Sequence, residues 1–338
     1  MRHHIRTAYG DSDHSYGGDA NNLLQGGGQG SPVAPPMWIA LTVIVLRMLA
    51  MYEPGVSVVF AKSATVMTFA AILYVDDTDL FTMKQPHETV DDLLCRTQTQ
   101  TSRWVEAMWA TGAALSPEKY WRCLVDFAWE GRKWRYKLYD EHNAELLVRD
   151  DDGIYQKVTR IDVREGQKGL GLRFAPTGCM NAELTYLQKE SSKWAAQIQN
   201  SYLDRITSAL ALTTTISGTW AYPSPDTNFT RKQAELLFKP VFKVILPKMG
   251  INRYLTKEYR YTPLSHHGLD LHDYFTDQGV DHIVTLIAHM AKDSYVGNLI
   301  EATLELAALE IGSGTNVFHL PYYTHAPYLT DSWIKIPW

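Results

Sequence analysis

The chain has 338 residues, of which 45% are hydrophobic, and this is enough for two domains with buried cores. Its 32 basic and 37 acidic residues give a formal net charge of −5, which excludes a compact domain that binds nucleic acid through an overall basic surface. Three widely spaced cysteines exclude a disulfide framework, and they favour a reducing intracellular setting, either nuclear or cytoplasmic.

The first segment predicts a loop followed by a helix. Residues 8–32 are rich in glycine, aspartate and serine, a composition typical of loops. A Pro-Pro pair at 35–36 suits the first turn of a helix, which we expect to run to about Met51. Because Arg47 interrupts this apolar run, and because it is shorter than a membrane span, we predict a buried helix and no membrane partner.

The next segment predicts a hairpin and a second helix. Residues 56–60 and 67–75 have the composition of strands. An Asp-Asp pair at 76–77 marks the hairpin tip, and 78–83 is predicted as the returning strand. Residues 91–115 have a helical pattern of apolar positions.

A further hairpin is predicted between 123–128 and 134–139, around a central glycine. Aromatic and basic residues interleave here: Trp121, Arg122, Trp129, Arg132, Lys133, Trp134, Arg135, Tyr136 and Lys137. Alternation along a two-stranded hairpin favours packing of these aromatic side chains in a core. Stacking on single-stranded nucleic acid is the alternative.

Beyond residue 180 the pattern becomes helical. A spacing of four residues predicts one helix face that carries Trp194, Ile198, Tyr202 and Ile206. Thr230 and Gln233 have the spacing of a capping box, and Gly312 would stop a helix over 293–311. We therefore predict two domains, a mixed α/β domain at 1–180 and a mainly helical one at 181–338.

Two motifs point to chemistry. Asp76 and Asp77 follow Tyr74-Val75 at the tip of an apolar hairpin, where two adjacent carboxylates need a counterion. A pair of magnesium ions suits such ligands and supports phosphoryl transfer, whereas the alternative is an ordinary Asp-Asp turn. The Gly-rich stretch 26–35 would let backbone approach a nucleotide closely, or it is simply a flexible loop.

In this order, a Gln29-Gly30-Ser31-Pro32 loop entering a helix and a Tyr74-Val75-Asp76-Asp77 hairpin resemble the palm of a reverse transcriptase from a retrotransposon without long terminal repeats. Further resemblances follow along the chain. The segment 112–119 resembles the family's Gly-x-x-Leu-x-x-x-Lys, 169–178 its primer-grip hairpin and 267–271 its Gly-Gly-Leu-Gly-Leu segment. The opening 5–12 resembles the stretch ahead of the Gln-Gly loop in retrotransposon-like reading frames.

The resemblance implies an α+β fold, in which a partial polymerase palm (an antiparallel sheet with helices on one face) precedes a helical thumb-like region. It implies RNA-directed DNA synthesis with two magnesium ions, an RNA template, a DNA primer and deoxynucleoside triphosphates. Asp76 and Asp77 would be the catalytic metal ligands. The residues expected to border nucleotide, template and primer are Gln29, Gly30, Ser31, Pro32, Tyr74 and Lys119. For Lys119, a solvated lysine after a turn is the equal alternative.

One departure from the family limits the prediction. The family has a further aspartate on a strand upstream of the Gln-Gly loop, and Asp11, Asp13 and Asp19 lie in the predicted loop instead. We therefore expect an N-terminally truncated chain that does not polymerise alone, because two carboxylates without the bridging one hold a metal pair poorly. Whether it is an enzyme depends on that ligand. The alternatives are a non-catalytic nucleic-acid-binding relic of a retroelement and a pseudogene product that does not fold stably.

A basic segment could contact nucleic acid. Residues 231–260 contain eight basic and two acidic residues in a chain that is acidic overall. We predict a track for a phosphate backbone that includes Arg231, Lys232, Lys239 and Lys243. The alternative is an ordinary solvated helix face. Five histidines between 266 and 289 match no zinc-ligand spacing.

Overall fold

The structure, a computed structural model, is a mixed fold of helices and short strands, which confirms the α+β class at this coarse level. The residues it describes are 3–7, 10–16, 32–74, 77–112, 116–142, 145–150, 152–292, 294–330 and 332–338. Two compact units divide the chain. Unit one comprises Met1–Ser57, Thr68–Arg122 and Leu138–Ile161, and unit two comprises Val58–Met67, Cys123–Lys137 and Asp162–Trp338. Each unit combines separate segments of the chain, so this division does not test the predicted boundary near residue 180, which stays a prediction.

The strands are short and pair locally. In chain order they are β1 His3–Thr7, β2 Gly10–Tyr16, β3 Val56–Val59, β4 Val66–Phe69, β5 Ala71–Tyr74, β6 Asp77–Leu80, β7 Trp121–Cys123, β8 Phe127–Glu130, β9 Lys133–Tyr136, β10 Leu147–Arg149, β11 Tyr155–Lys157, β12 Thr159–Ile161, β13 Gln167–Gly169 and β14 Leu172–Phe174. Within the described residues they form two-stranded sheets only, which are β1–β2, β3–β4, β5–β6, β7–β12, β8–β9, β10–β11 and β13–β14.

The helices dominate the second half of the chain. They are α1 Ala34–Tyr52, α2 Val90–Ala110, α3 Asn181–Asn200, α4 Arg205–Leu210, α5 Ser217–Ala221, α6 Arg231–Lys248, α7 Lys257–Tyr261, α8 Tyr274–Met290, α9 Tyr295–Glu310 and α10 Tyr322–His325. A π-helical segment, Ala211–Ile216, joins α4 to α5. Short 3-10 helices lie at Pro117–Lys119, Tyr139–Glu141, Leu264–His266, Val317–His319, Ala326–Tyr328 and Trp333–Lys335.

In unit one, α1 and α2 enclose a small apolar cluster. Its buried members are Val45, Leu49, Trp104 and Met108. Leu73 of β5 and Leu80 of β6 pack on this cluster, so the β5–β6 hairpin sits directly on the two helices. The helix α2 begins with a capping box at Thr89 and Asp92, and its chain turns away at Gly112, whose φ is 80°.

In unit two, α3, α5, α6 and α8 surround the largest core of the described chain. Its members include Leu187, Trp220, Phe238, Ile245 and Tyr274. The predicted capping box opens α6. The backbone N–H of Gln233 donates to Thr230 Oγ1 at 3.3 Å, and the backbone N–H of Thr230 donates to Gln233 Oε1 at 2.8 Å. A second cluster joins α9 to the C-terminal segment through Leu304, Val317 and Ile334.

Three expectations about local structure were wrong. Residues 10–16, predicted as part of a loop, form β2, because antiparallel pairing with β1 satisfies their backbone groups without any apolar content. The strand predicted over 67–75 is interrupted by a bend at Ala70 and becomes β4 and β5. The four-residue repeat from Trp194 to Ile206 spans two helices, because Asp204 accepts from the Thr207 amide at 2.7 Å and caps α4.

The predicted buried helix is mostly exposed. Of the 19 residues of α1, only Thr42, Val45 and Leu49 are buried, whereas Ile44 and Met51 are largely exposed. An apolar sequence predicts burial only if enough neighbours surround it, and among the described residues α2 and the β5–β6 hairpin cover one side. By length and composition α1 could also cross a membrane, a criterion that core helices and signal sequences meet as well.

Candidate functional site

The strands of the predicted Asp-Asp hairpin are present. β5 and β6 run antiparallel, with Ala71 opposite Leu80 and Tyr74 opposite Asp77. A register that places Tyr74 opposite Asp77 leaves Val75 and Asp76 as the two-residue connection in the sequence, the loop length that antiparallel hairpins favour. Val75 and Asp76 lie outside the described residues, as does the side chain of Tyr74. The predicted site residue Asp76 and the predicted site side chain of Tyr74 are therefore not located.

Two carboxylates share one face of β6. Asp77 and Asp79 are two residues apart, and alternate residues of a strand point to the same side. Asp79 is an exposed residue overall, yet neighbouring chain desolvates its carboxyl group and raises the pKa of that group. The negative charge of Asp77 raises the pKa of Asp79 further. Their mutual repulsion is the kind that a bound cation relieves.

The hairpin is held to α2 by polar contacts as well as by Leu73 and Leu80. Just after β6, the Thr82 hydroxyl donates to Gln100 Oε1 at 2.8 Å, and Gln100 Nε2 donates to the Phe81 carbonyl at 3.4 Å. Gln100 is buried in α2. The exit of the hairpin is therefore tied to a helix, which limits its freedom to shift.

A buried ion-pair network fixes the same helices. The Arg96 guanidinium on α2 donates to Glu53 Oε2 at 2.5 Å, at the end of α1. It also donates to Glu88 Oε2 at 2.8 Å and to the Met83 carbonyl at 2.7 Å. Glu53 is almost fully buried, so Arg96 compensates a charge that water cannot reach. Arg96 thereby links α1, α2 and the segment that leaves β6.

Asp77 and Asp79 are the described residues that could contribute ligands to a magnesium ion. Asp77 and Asp79 supply oxygen donors of the type that magnesium prefers, and Asp76 adjoins them in the sequence. Among the described residues no group of three metal-donor side chains gathers at any place.

The predicted nucleotide loop is mostly outside the described residues. Gln29, Gly30 and Ser31 fall there, and Pro32 is an exposed turn residue just before α1. Asp11 and Asp13, predicted to be loop residues, lie on β2. Asp19 is outside the described residues.

Lys119 and Asp77 are not joined. Lys119 is exposed at the end of the 3-10 helix Pro117–Lys119, which follows the Gly112 turn. In the part of the chain that is described, no ion pair connects the two side chains, so the equal alternatives for Lys119 stay open.

The four predicted track residues lie on α6, but they differ in surroundings. Arg231 pairs with Asp273 at 3.3 Å and stacks over Phe275 at 4.5 Å. Lys232, Lys239 and Lys243 are exposed, and their spacing of seven and four residues places them on one helix face about 16 Å long. We call these three residues the lysine stripe.

The hairpin formed by β13 and β14 spans residues 167–174, so it includes only the first part of the glycine-containing segment 169–178. β13 and β14 pair antiparallel, and Leu170 and Gly171 both have positive φ, at 51° and 86°, as a type I′ turn requires. A cleft of about 370 Å³ beside this turn is lined by Gly171, Glu183, Tyr186, Thr215, Tyr222 and neighbours. Burial raises the pKa of Glu183, and nearby Arg173 opposes that shift. Sequence reasoning missed this cleft, because the π-helical segment that forms one wall has no recognisable pattern.

No family model matches the sequence, and no curated protein matches it significantly. The residues and their geometry therefore carry the case for function.

Proposed function

We propose that this chain is the palm and thumb-like part of a retroelement reverse transcriptase. The observation that carries the proposal is the β5–β6 hairpin, whose Tyr-x-Asp-Asp sequence spans a two-residue connection and whose Leu73 and Leu80 pack on α1 and α2. A rigid platform beneath a pair of adjacent carboxylates is what metal-dependent phosphoryl transfer requires, since small displacements of the ligands are costly.

The reaction would be attack of a primer 3′-hydroxyl on the α-phosphate of a deoxynucleoside triphosphate, with release of pyrophosphate. Asp76 and Asp77 would hold the metal ions. Two bound magnesium ions activate the hydroxyl and stabilise the leaving oxygen in such reactions. Gln29 to Pro32 would border the nucleotide and template, and Tyr74 would lie beneath the primer end. Lys119 would neutralise phosphate charge.

The second candidate is a non-catalytic nucleic-acid binder. The lysine stripe favours it, because three exposed lysines on one face of α6 need no metal ligand to contact a phosphate backbone. Binding through the stripe should weaken with salt, and replacing the three lysines by alanine should lower the salt slope on duplex DNA by about 2–3.

Primer extension on an RNA template with magnesium separates the two candidates. Two proteins are compared, this chain and a longer version in which an added N-terminal strand supplies a third aspartate. We expect extension only by the longer version, and we expect Asp76→Asn or Asp77→Asn to abolish it. Asp140→Asn, an exposed acid outside the hairpin, is the matched control and should retain activity.

The outcomes have distinct meanings. Activity that survives Asp76→Asn would overturn the site assignment. Inactivity of both versions with salt-dependent binding intact would favour the binder. Activity of this chain alone would mean that it holds a third metal ligand, and Asp11 and Asp13 on β2 would be the first to replace.

A further inference from the structure

The β8–β9 hairpin is an antiparallel pair with one wholly aromatic face. Phe127 lies opposite Tyr136, and Trp129 lies opposite Trp134. Directly opposed residues share a face, and so do residues two apart on one strand, so these four side chains lie on the same side. Gly131, at φ 65°, takes the first position of the two-residue turn, where a type II′ turn favours glycine.

This aromatic face is exposed to solvent. The exposed fractions are 73% for Trp129, 52% for Trp134 and 51% for Phe127. The favoured expectation, that these side chains pack in a core, is therefore wrong for Trp129 and Trp134, whereas Trp121 and Tyr136 are half-buried. Their alternation arises instead because they pack on one another: Phe127 lies 5.3 Å from Trp134, which lies 5.2 Å from Tyr136 in edge-to-face contact. Trp129 stands at the turn end of the row.

Basic residues alternate with the aromatic residues along β9, so Lys133 and Arg135 point to the opposite face of the hairpin. Residues 127–137 contain four basic side chains and one acidic side chain, in a chain whose net charge is −5. Arg135 pairs with Glu130 at 2.5 Å, and Lys137 pairs with Asp126 at 2.6 Å. Arg132 and Lys133 are exposed at the turn beside Trp129.

We propose that the aromatic face of β8–β9 is a stacking platform for single-stranded nucleic acid. Every base has a flat π face that stacks on exposed indole and phenyl rings, and the exposed Arg132 and Lys133 at the turn end of the hairpin would attract the phosphate backbone. The positive charge favours this anionic partner over a neutral apolar one. The inference goes beyond the polymerase proposal, because it uses no metal ligand and no residue of the β5–β6 hairpin.

Fluorescence anisotropy with labelled oligonucleotides of about 12 bases tests the proposal. Single-stranded DNA, single-stranded RNA and a duplex are titrated with the full chain in EDTA, so that metal-dependent chemistry plays no part. Both single strands should bind more tightly than the duplex, whose bases are already stacked. Trp129→Ala should weaken single-strand binding roughly fivefold to a hundredfold, as loss of one stacked base does.

The control is Tyr202→Ala, since Tyr202 is a fully exposed aromatic residue outside the hairpin. This variant should bind like the parent chain. Arg132→Ala combined with Lys133→Ala should lower the salt slope by about 1.4 while leaving duplex binding little changed. A Trp129→Ala protein that binds single strands as well as the parent, with an unchanged circular dichroism spectrum, would overturn the proposal.

Two more results would also overturn it. One is equal affinity for duplex and single strand, which would mean that charge alone carries the binding. The other is a blue shift of tryptophan emission with anionic vesicles, lost in Trp129→Ala, without any oligonucleotide binding. That result would assign the face to a lipid surface. Neither result bears on primer extension, so failure here and failure of the polymerase proposal remain distinguishable.

Discussion

His282 should make unit two sensitive to acid. It is fully buried on α8 and stacks on Trp333, with 4.4 Å between ring centroids. Neither ring nitrogen has a hydrogen-bond partner of normal geometry among the described residues. Burial lowers the pKa of His282 from its usual 6.5 to about 4, although backbone groups of Thr227 and Ser224 and the charge of Asp281 favour the protonated form.

The sign of the effect follows from proton binding. An unfolded chain protonates this histidine near its usual pKa, whereas the folded chain resists protonation until about pH 4. The free energy of unfolding therefore falls as pH drops between those values. The shift corresponds to at most about 3.5 kcal/mol, at about 1.4 kcal/mol for each pKa unit.

The assay is urea unfolding followed by tryptophan fluorescence, from about pH 7 to about pH 4. His282→Phe keeps an aromatic ring against Trp333 but cannot titrate, so it should lose less stability on acidification than the parent chain. Glu183, Asp226 and Asp277 have raised pKa values and change stability in the opposite direction, but they are common to both proteins and cancel in the difference. His266→Phe, at an exposed position, should leave the pH dependence unchanged. Equal slopes for the parent and His282→Phe would refute the reasoning.

Two further substitutions test the support of the hairpin. Arg96→Ala should lower the free energy of unfolding by about 3–5 kcal/mol, because it leaves the buried Glu53 carboxylate without its charged partner. Arg47→Ala at an exposed position should change little, and urea unfolding measures both. Gly55→Ala should cost more than about 1 kcal/mol, because φ is 81° and the added Cβ would lie 2.1 Å from the Phe69 carbonyl oxygen; normal stability of this variant would show that the backbone relaxes there.

Local signals in the sequence predicted local structure well. The spacing of Thr230 and Gln233 identified a helix start, and Gly312 marked the end of α9, because caps depend on residues within one turn. The β5–β6 hairpin followed from a short apolar run on each side of two acids. These features need no information about distant residues.

Features that depend on distant residues were not predictable. The link from Arg96 to Glu53 joins positions 43 residues apart, and nothing in either segment indicates the other. The predictions of which side chains are buried were wrong for the same reason. The apolar run of α1 and the aromatic row of β8–β9 were both expected to be buried, but burial depends on how many neighbours surround an element rather than on its own composition.

The contacts that hold the β5–β6 hairpin in place and the carboxylates that would carry out its chemistry can therefore be tested separately. Leu73 and Leu80 hold the hairpin strands on α1 and α2, and Arg96 ties the segment after β6 to the same helices, through contacts that unit one itself supplies. The proposed chemistry is a different matter, because Asp77 and Asp79 repel each other and the described residues bring no third donor to them. If the polymerase proposal holds, adding a third carboxylate should give activity without any change to the hairpin support. If instead the support must change as well, the likeness of this hairpin to a polymerase palm is confined to its sequence.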